Sequence, residues 1–140
     1  MISSPHYGKM LIIDSSKEST ESLSRFFNSK GINPMSTNDA MEGLLNIRKE
    51  NFDVVLLDID MPIINGLGII EFLAREDILK NQNIFIVSKY DIPKVKLQYL
   101  LEKDGIQGVL DKTMTNDDLL NSIQSCITKS FEKKSIKSPI

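Results

Sequence analysis

The sequence predicts an α/β fold in which helices cover both faces of a five-stranded parallel sheet. Short β-branched or aliphatic runs alternate along the chain with segments whose apolar residues recur at helical spacing. Polar residues hardly interrupt the strand runs, which is typical of parallel strands buried on both faces. Five strand-helix pairs in 140 residues fit one three-layered domain.

Five runs predict the strands because they are short, apolar and bounded by turn-forming residues. They are Met10 to Ile13, Ile32 to Ser36, Val54 to Leu57, Ile84 to Val87 and Gly108 to Leu110. The second and fifth runs carry fewer apolar residues than the others. These two runs are therefore weaker strand signals than the other three.

Five intervening segments predict helices from apolar residues spaced three or four apart. Their apolar sets are Leu23, Phe26 and Phe27; Met41, Leu44, Leu45 and Ile47; Ile69, Ile70, Phe72 and Leu73; Val95, Leu97, Leu100 and Leu101; and Leu119, Leu120, Ile123, Ile127 and Phe131. Short polar side chains precede three of these segments, as expected of helix N-caps. They are Ser15 or Ser16 with Glu18, Thr37 to Asp39, and Thr115 to Asp118.

Composition excludes several classes of function. The formal net charge is −2, so no broad basic face indicates nucleic acid or an anionic membrane. The single histidine, His6, stands in a polar leader, and the single cysteine, Cys126, cannot form an internal disulfide. No N-terminal run resembles a signal peptide or a membrane span, which points to the cytoplasm. We expect a leader at residues 1–7, a folded domain at 8–131 and a disordered tail at 132–140.

Polar side chains stand at the carboxyl ends of the predicted strands, where ligand sites of open α/β sheets lie. These residues are Asp14 after the first strand, Asp58 and Asp60 after the third, Ser88 after the fourth, and Asp111 and Lys112 after the fifth. Close like charges raise each other's pKa and require a cation. Magnesium fits, because it uses one or two carboxylates and leaves positions for phosphate oxygens. Taken singly, each aspartate could equally be a turn former.

These positions closely resemble the receiver domain of two-component response regulators. Asp58, Met61, Pro62 and Gly66 form the spacing D-x-x-M-P-x-x-x-G. Asp14, Ser88 and Lys112 supply the acid, hydroxyl and lysine expected after the first, fourth and fifth strands. The resemblance covers residues 8–131 and implies a flavodoxin-like, doubly wound sheet with strand order 2-1-3-4-5.

The resemblance also implies roles for individual residues. Asp58 would accept a phosphoryl group from a phosphohistidine on a histidine kinase or a phosphotransfer protein. Asp14, Asp58 and the backbone carbonyl of Asp60 would hold Mg²⁺. Ser88 would donate a hydrogen bond to a phosphoryl oxygen, and Lys112 would pair with the phosphate. Phosphoryl transfer depends mainly on such positioning and charge neutralisation.

By the same resemblance the chain would be a single-domain phosphoacceptor and not a conventional enzyme. Its catalysis would be limited to autophosphorylation from small donors and autodephosphorylation. It would signal through contacts with a downstream protein, made by roughly Pro93 to Phe131, without binding nucleic acid or membrane.

Four positions depart from the usual receiver pattern. Ser15 stands where receivers usually carry a second acid that ligates magnesium directly, so metal affinity should be lower. Thr113 replaces the proline that usually follows the lysine, so we expect either a trans peptide bond there or backbone strain. Val109 stands where an aromatic ring is common, and Lys89 where a small residue is common. These departures favour an alternative in which a degenerate receiver binds a partner without regulated phosphorylation.

A third hypothesis comes from phosphatases. Asp58 and Asp60 form a D-x-D after an apolar strand, as in haloacid-dehalogenase-like phosphatases. Those enzymes usually place Thr or Val two residues after the second aspartate, and they carry the motif on the first strand. Here that position is Pro62, and the motif follows the third predicted strand. The sequence therefore fits this class less well than it fits a receiver.

Overall fold

The apolar runs form five parallel strands in the order β2-β1-β3-β4-β5. The computed structural model describes residues 9–62, 65–89 and 91–125. The strands are β1 (Met10–Ile13), β2 (Met35–Thr37), β3 (Val54–Asp58), β4 (Ile84–Ser88) and β5 (Ile106–Asp111). This architecture confirms the predicted α/β fold, its doubly wound sheet and the strand order 2-1-3-4-5.

Helices follow the strands in the predicted alternation. They are α1 (Lys17–Ser29), α2 (Ala40–Lys49), α3 (Gly66–Arg75), α4 (Lys94–Leu101) and α5, which is described over residues 116–125. A short 3-10 helix, Leu79–Asn81, precedes β4. Ile127 and Phe131, expected on the fifth helix, lie outside the described residues, as do the predicted leader at 1–7 and tail at 132–140. None of the helices in the described ranges is both long and apolar enough to span a bilayer.

Alternate residues of the strands point to opposite faces of the sheet, and their side chains pack into two apolar cores, one on each face. On one face, Leu11, Ile13 and Val55 pack with residues of α2, α3 and α4. On the other face, Met10 and Ile12 pack with residues of α1 and α5. Because the middle strands are buried on both faces, their runs carry no polar residue before their carboxyl ends.

The observed helix caps decide between the two N-cap candidates of α1. Ser16, not Ser15, is the N-cap of α1, and its side chain accepts a hydrogen bond from the Ser19 backbone N–H. Ser15 is exposed. Asp39 caps α2 as predicted, accepting from the Met41 N–H. Thr115 also meets its prediction, because its hydroxyl oxygen accepts from the Asp118 N–H at the start of α5.

The second strand begins later than predicted. Ile32, the first residue of the predicted run, instead takes part in the cap that closes the carboxyl end of α1. The Ile32 N–H donates to the Phe27 carbonyl oxygen at 2.9 Å, and the Gly31 N–H donates to the Asn28 carbonyl oxygen at 3.1 Å. Gly31 has φ 81°, which glycine adopts without strain, so these bonds close the helix as a Schellman motif. The fifth strand is longer than predicted, since it extends from Ile106 to Asp111 on either side of Gly108.

The register of the sheet aligns the polar strand ends. Ser88 lies opposite Asp111, and Asp58 lies opposite Val87. Parallel strands place all their carboxyl ends at one edge, so residues distant in sequence reach a common site.

Candidate functional site

One ammonium group joins the two buried acids of the site. Lys112 Nζ lies 2.8 Å from Asp14 Oδ2 and 3.2 Å from Asp58 Oδ2. Asp14 is 3% exposed and Asp58 is 4% exposed, whereas the Lys112 side chain is 24% exposed. The structure therefore brings together three residues that the sequence placed at the ends of β1, β3 and β5.

Local hydrogen bonds hold Asp14 in place. Its Oδ1 accepts from the Ser16 backbone N–H at 2.9 Å, and its Oδ2 accepts from the Ser19 hydroxyl at 3.0 Å. The Asn38 side-chain amide donates to the Asp14 carbonyl oxygen at 2.8 Å. The first turn of α1 and the loop after β2 thus fix both the side chain and the backbone of this acid.

Asp58 is buried at the end of β3, and its carboxylate accepts from a backbone N–H and from Lys112. Its Oδ1 accepts from the Asp60 backbone N–H at 2.9 Å, and its Oδ2 faces Lys112. Burial raises the pKa of Asp58, and the negative charge of Asp14 raises it further, although the Asp60 N–H and Lys112 act in the opposite direction. A carboxylate with a raised pKa is a more basic, stronger nucleophile once it is ionised.

The two acids also control the charge of Lys112. Burial alone would lower the pKa of its ammonium group, but the hydrogen bond and charge of Asp14, together with Asp58, outweigh burial and raise the pKa. The backbone N–H of Lys112 donates to the Ser88 carbonyl oxygen at 2.8 Å. Lys112 is consequently a cation whose backbone is held at the end of β4.

Thr113 fixes the loop that carries Lys112. Its N–H and its hydroxyl both donate to Asp111 Oδ1, at 2.8 and 2.7 Å. These two bonds lower the pKa of the Asp111 carboxyl group. The peptide bond before Thr113 is trans, as expected. A hydrogen-bonded threonine, rather than a proline, therefore orients this loop.

The side chain of Asp60 lies away from the pair formed by Asp14 and Asp58. Its Oδ2 accepts from the Ser88 hydroxyl at 3.4 Å, a long contact, and Asp60 itself is exposed. Within the described ranges, no three acidic, histidine or cysteine side chains group as metal ligands. Two of the three carboxylates thus converge on Lys112, and the third contacts Ser88.

The residues present fit a hard divalent cation. Both buried carboxylates already converge on one positive charge, the Lys112 ammonium. Magnesium commonly binds through one or two carboxylates and keeps several waters. Asp14 and Asp58 are the side chains that would hold it. The ion would compete with Lys112, because both cations would pair with the same two carboxylates.

Gly66 allows the start of α3 to approach the site closely. A Cβ at this position would lie 2.7 Å from Ile59 Cα and 3.0 Å from the Asp58 carbonyl oxygen. The Gly66 N–H also donates to the Ile59 carbonyl oxygen at 3.1 Å. The glycine of the predicted motif is thus explained by close packing against the backbone beside Asp58.

Comparison with known proteins decides the family. Residues 10–124 match the model of the response regulator receiver domain. The chain belongs to that receiver family. It is 26% identical over 124 residues to the CAI-1 autoinducer sensor kinase/phosphatase CqsS of Vibrio cholerae serotype O1. The aligned residues make up 89% of this chain and 18% of that protein. The curated relatives it matches are longer, since the chain spans 18% to 56% of their lengths.

Solved structures share the fold of this receiver. The receiver domain of the Francisella response regulator 1452 superposes with a TM-score of 0.74 at 24% identity, covering 87% of this chain and 98% of that chain. A response regulator from Burkholderia pseudomallei gives 0.71 at 20% identity, covering 94% and 75%. Membership of the receiver family favours the receiver hypothesis over the phosphatase alternative.

Two further departures from the receiver pattern have visible consequences. Val109 is half-buried and lines a cleft of about 270 Å³ together with Ser88, Ile92 and Leu97. Lys89 is exposed, and Tyr90 after it lies outside the described residues.

A second cavity of about 180 Å³ lies beside Lys112, between the first turns of α1 and α5.

Reasoning from the sequence missed three contributors to this receiver's site: Ser16, Ser19 and Asn38. The serines of the segment after β1 were interpreted as helix caps only. A signal was nevertheless present, because Ser19 stands in the first turn of a helix that begins three residues after a buried acid. At that position a hydroxyl can reach back to the carboxylate that precedes the helix.

Proposed function

We propose that this receiver accepts a phosphoryl group on Asp58 from a histidine kinase or a phosphotransfer protein. The single observation that supports this most is the pairing of a buried, nucleophilic carboxylate with Lys112 at 3.2 Å. A lysine at that distance from the acceptor oxygen can neutralise the negative charge of an incoming phosphoryl group.

The proposed step is a transfer between nitrogen and oxygen. A carboxylate oxygen of Asp58 attacks phosphorus while the bond from phosphorus to the histidine nitrogen breaks. The electron pair of that bond stays on the imidazole, which is the leaving group, and the phosphoryl group becomes bonded to Asp58 as an aspartyl phosphate. Lys112 then exchanges carboxylate oxygens for phosphoryl oxygens. The Ser88 hydroxyl, 5% exposed at the end of β4, would donate to one phosphoryl oxygen.

Magnesium, held by Asp14, Asp58 and the Asp60 carbonyl, would supply charge neutralisation on the phosphoryl oxygens. The Burkholderia relative was solved with a phosphorylated aspartic acid and a calcium ion, which supports an acyl phosphate with a divalent cation in this fold. The relative from Vibrio cholerae is named a sensor kinase/phosphatase, which supports a kinase-linked role. Reaction with small phosphodonors and slow self-hydrolysis would be the chain's only catalysis.

The output of the proposed switch is a protein contact. The expected surface, 93–131, is described to residue 125, and α4 in that range exposes apolar side chains. Val95 is 82% exposed, and Tyr99 and Leu101 are about half exposed. Exposed apolar side chains close together are typical of surfaces that bind another protein.

A degenerate receiver that binds partners without phosphorylation remains the second candidate. The observation that favours it is the incomplete acidic cluster, because Ser15 is exposed and only two carboxylates converge among the residues that the structure describes. In that case Lys112 would serve as a permanent structural counterion.

Intact mass spectrometry distinguishes the two. The protein is incubated with magnesium and acetyl phosphate, alongside Asp58→Asn and, as a matched control, Asp53→Asn at an exposed acid before β3. A single phosphoryl adduct in the wild type and in Asp53→Asn, but not in Asp58→Asn, supports phosphoacceptance. No adduct in the wild type at saturating donor and metal would favour the degenerate receiver.

A further inference from the structure

We propose that Ser19 is a positioning residue that holds the Asp14 carboxylate ready for magnesium, in a receiver where Ser15 occupies the place of the second acid. The inference rests on the proposed function, because it assumes that Asp14 and Asp58 hold the metal. It assigns to this chain a hydroxyl that stabilises one of the two carboxylates that would hold the metal.

Ser19 is rigidly placed for this task. It lies in the first turn of α1, and its backbone N–H donates to the Ser16 hydroxyl oxygen at 3.1 Å. Its own hydroxyl donates to Asp14 Oδ2 at 3.0 Å. The remaining oxygen, Oδ1, accepts from the Ser16 N–H. The helix start therefore supplies one donor to each oxygen of a carboxylate that is 3% exposed.

The Oδ2 atom of Asp14 is shared by two donors of different character. Lys112 Nζ lies at 2.8 Å and the Ser19 hydroxyl at 3.0 Å. Lys112 must release this oxygen when it pairs with a phosphoryl group or when a metal displaces it. Ser19 carries no charge, so it can stay on the oxygen beside a metal ion. A buried carboxylate oxygen left without any partner would cost free energy.

Donors behind a metal ligand orient that ligand, and their loss typically weakens metal binding by about 10–100-fold. With the second acid replaced by Ser15, fewer direct ligands share this task. The orientation of Asp14 should therefore have a larger effect on affinity here than in a site with three carboxylates.

Ser22 provides a matched control on the same helix. Both serines line the cavity beside Lys112, and Ser22 lies about one helical turn after Ser19. Among the described contacts, the Asp14 side chain accepts from Ser16, Ser19 and Lys112 but not from Ser22. Alanine at position 22 removes a cavity-lining hydroxyl without touching the carboxylate.

The test is a magnesium titration of four proteins: wild type, Ser19→Ala, Ser22→Ala and Ser19→Thr. Magnesium Kd is measured by calorimetry and by the shift of Tm with metal, since an ion that binds only the folded state raises Tm. We expect Ser19→Ala to weaken Kd by about 10-fold, Ser22→Ala to leave it unchanged, and Ser19→Thr, which keeps the hydroxyl, to restore most of it. The phosphoryl adduct from acetyl phosphate should reach the wild-type level in Ser19→Ala once magnesium saturates.

The outcomes separate this inference from the proposed function. Equal Kd values for wild type and Ser19→Ala overturn the positioning role while leaving phosphoacceptance intact. A lower Tm without metal but an unchanged Kd also overturns it, because Ser19 would then be structural only. Equal losses in Ser19→Ala and Ser19→Thr would show that the hydroxyl is not the cause. A wild type that binds no magnesium overturns both the inference and the metal-dependent function.

Discussion

Lys112 Nζ lies 2.8 Å from Asp14 Oδ2, so a lysine after β5 neutralises an acid at the end of β1. Replacing Lys112 with methionine keeps much of its aliphatic length and leaves two buried carboxylates without a cation. Breaking a buried ion pair typically costs about 3–5 kcal/mol. The partial exposure of Lys112 reduces the expected loss of unfolding free energy to roughly 1–3 kcal/mol. Urea denaturation measures it.

Magnesium should stabilise Lys112→Met more than it stabilises the wild type, because the ion would no longer compete with the ammonium for the two carboxylates. Lys80→Met is the control, since Lys80 forms an exposed pair with Asp77 at 3.2 Å. That change should cost less than about 1 kcal/mol. Equal magnesium effects on Lys112→Met and the wild type would contradict competition for the same carboxylates.

The raised pKa of Asp58 predicts a pH-dependent effect of Asp58→Asn. Between the ordinary aspartate pKa, about 3.9, and the raised pKa, the folded protein binds more protons than the unfolded chain. Wild-type unfolding free energy should therefore fall as pH rises through that window. Asparagine does not titrate, so its unfolding free energy lacks this fall. The unfolding free energy of Asp58→Asn should therefore rise relative to that of the wild type across the window, and the difference should stay constant at higher pH.

Denaturant unfolding of both proteins at a series of pH values gives this difference directly. Asp104→Asn, at an exposed acid before β5, controls for the loss of one negative charge elsewhere. A difference between Asp58→Asn and wild type that shrinks as pH rises would mean that Lys112 and the Asp60 N–H outweigh burial. The pKa of Asp58 would then be lowered rather than raised.

Most of the fold could be predicted from the sequence, because strands buried on both faces appear as uninterrupted apolar runs. Three strand runs carry nothing polar before their ends, and they match β1, β3 and β4 with at most one residue added. The edge strands were less predictable. Ile32 is apolar because it packs after the Schellman turn of α1 and not because it lies in a strand. Single-sequence patterns do not distinguish these two causes of burial.

The site was predictable at the level of strand ends and less so at the level of hydrogen bonds. Topology alone places Asp14, Asp58 and Lys112 at one edge, and the distances of 2.8 and 3.2 Å confirm that they meet. Side-chain direction after a strand depends on local turns. The Asp60 carboxylate therefore turned toward Ser88 instead of joining the other two acids.

Thr113 predicts an effect on the charge of Asp111. Because the Thr113 hydroxyl and N–H lower the pKa of Asp111, Thr113→Ala should raise that pKa by removing the first of these donors. Thr113→Pro should raise it further by removing both. Carboxyl titration by NMR measures the change, and Thr113→Ser, which keeps both donors, is the control. An Asp111 pKa that is the same in all four proteins would contradict this role.

Gly66 predicts a steric effect on the backbone beside the proposed acceptor. A Cβ there would lie 2.7 Å from Ile59 Cα, and backbone atoms cannot yield as a flexible side chain can. Gly66→Ala should lower the unfolding free energy by about 1–3 kcal/mol and reduce the phosphoryl adduct on Asp58. Gly108→Ala is the matched control in β5, because its Cβ would meet Phe85 Cδ1 at 3.8 Å, an ordinary contact. That change should be neutral or stabilising by about 0.4–1 kcal/mol. Equal denaturation midpoints for the two variants would show that α3 can move away from β3 without cost.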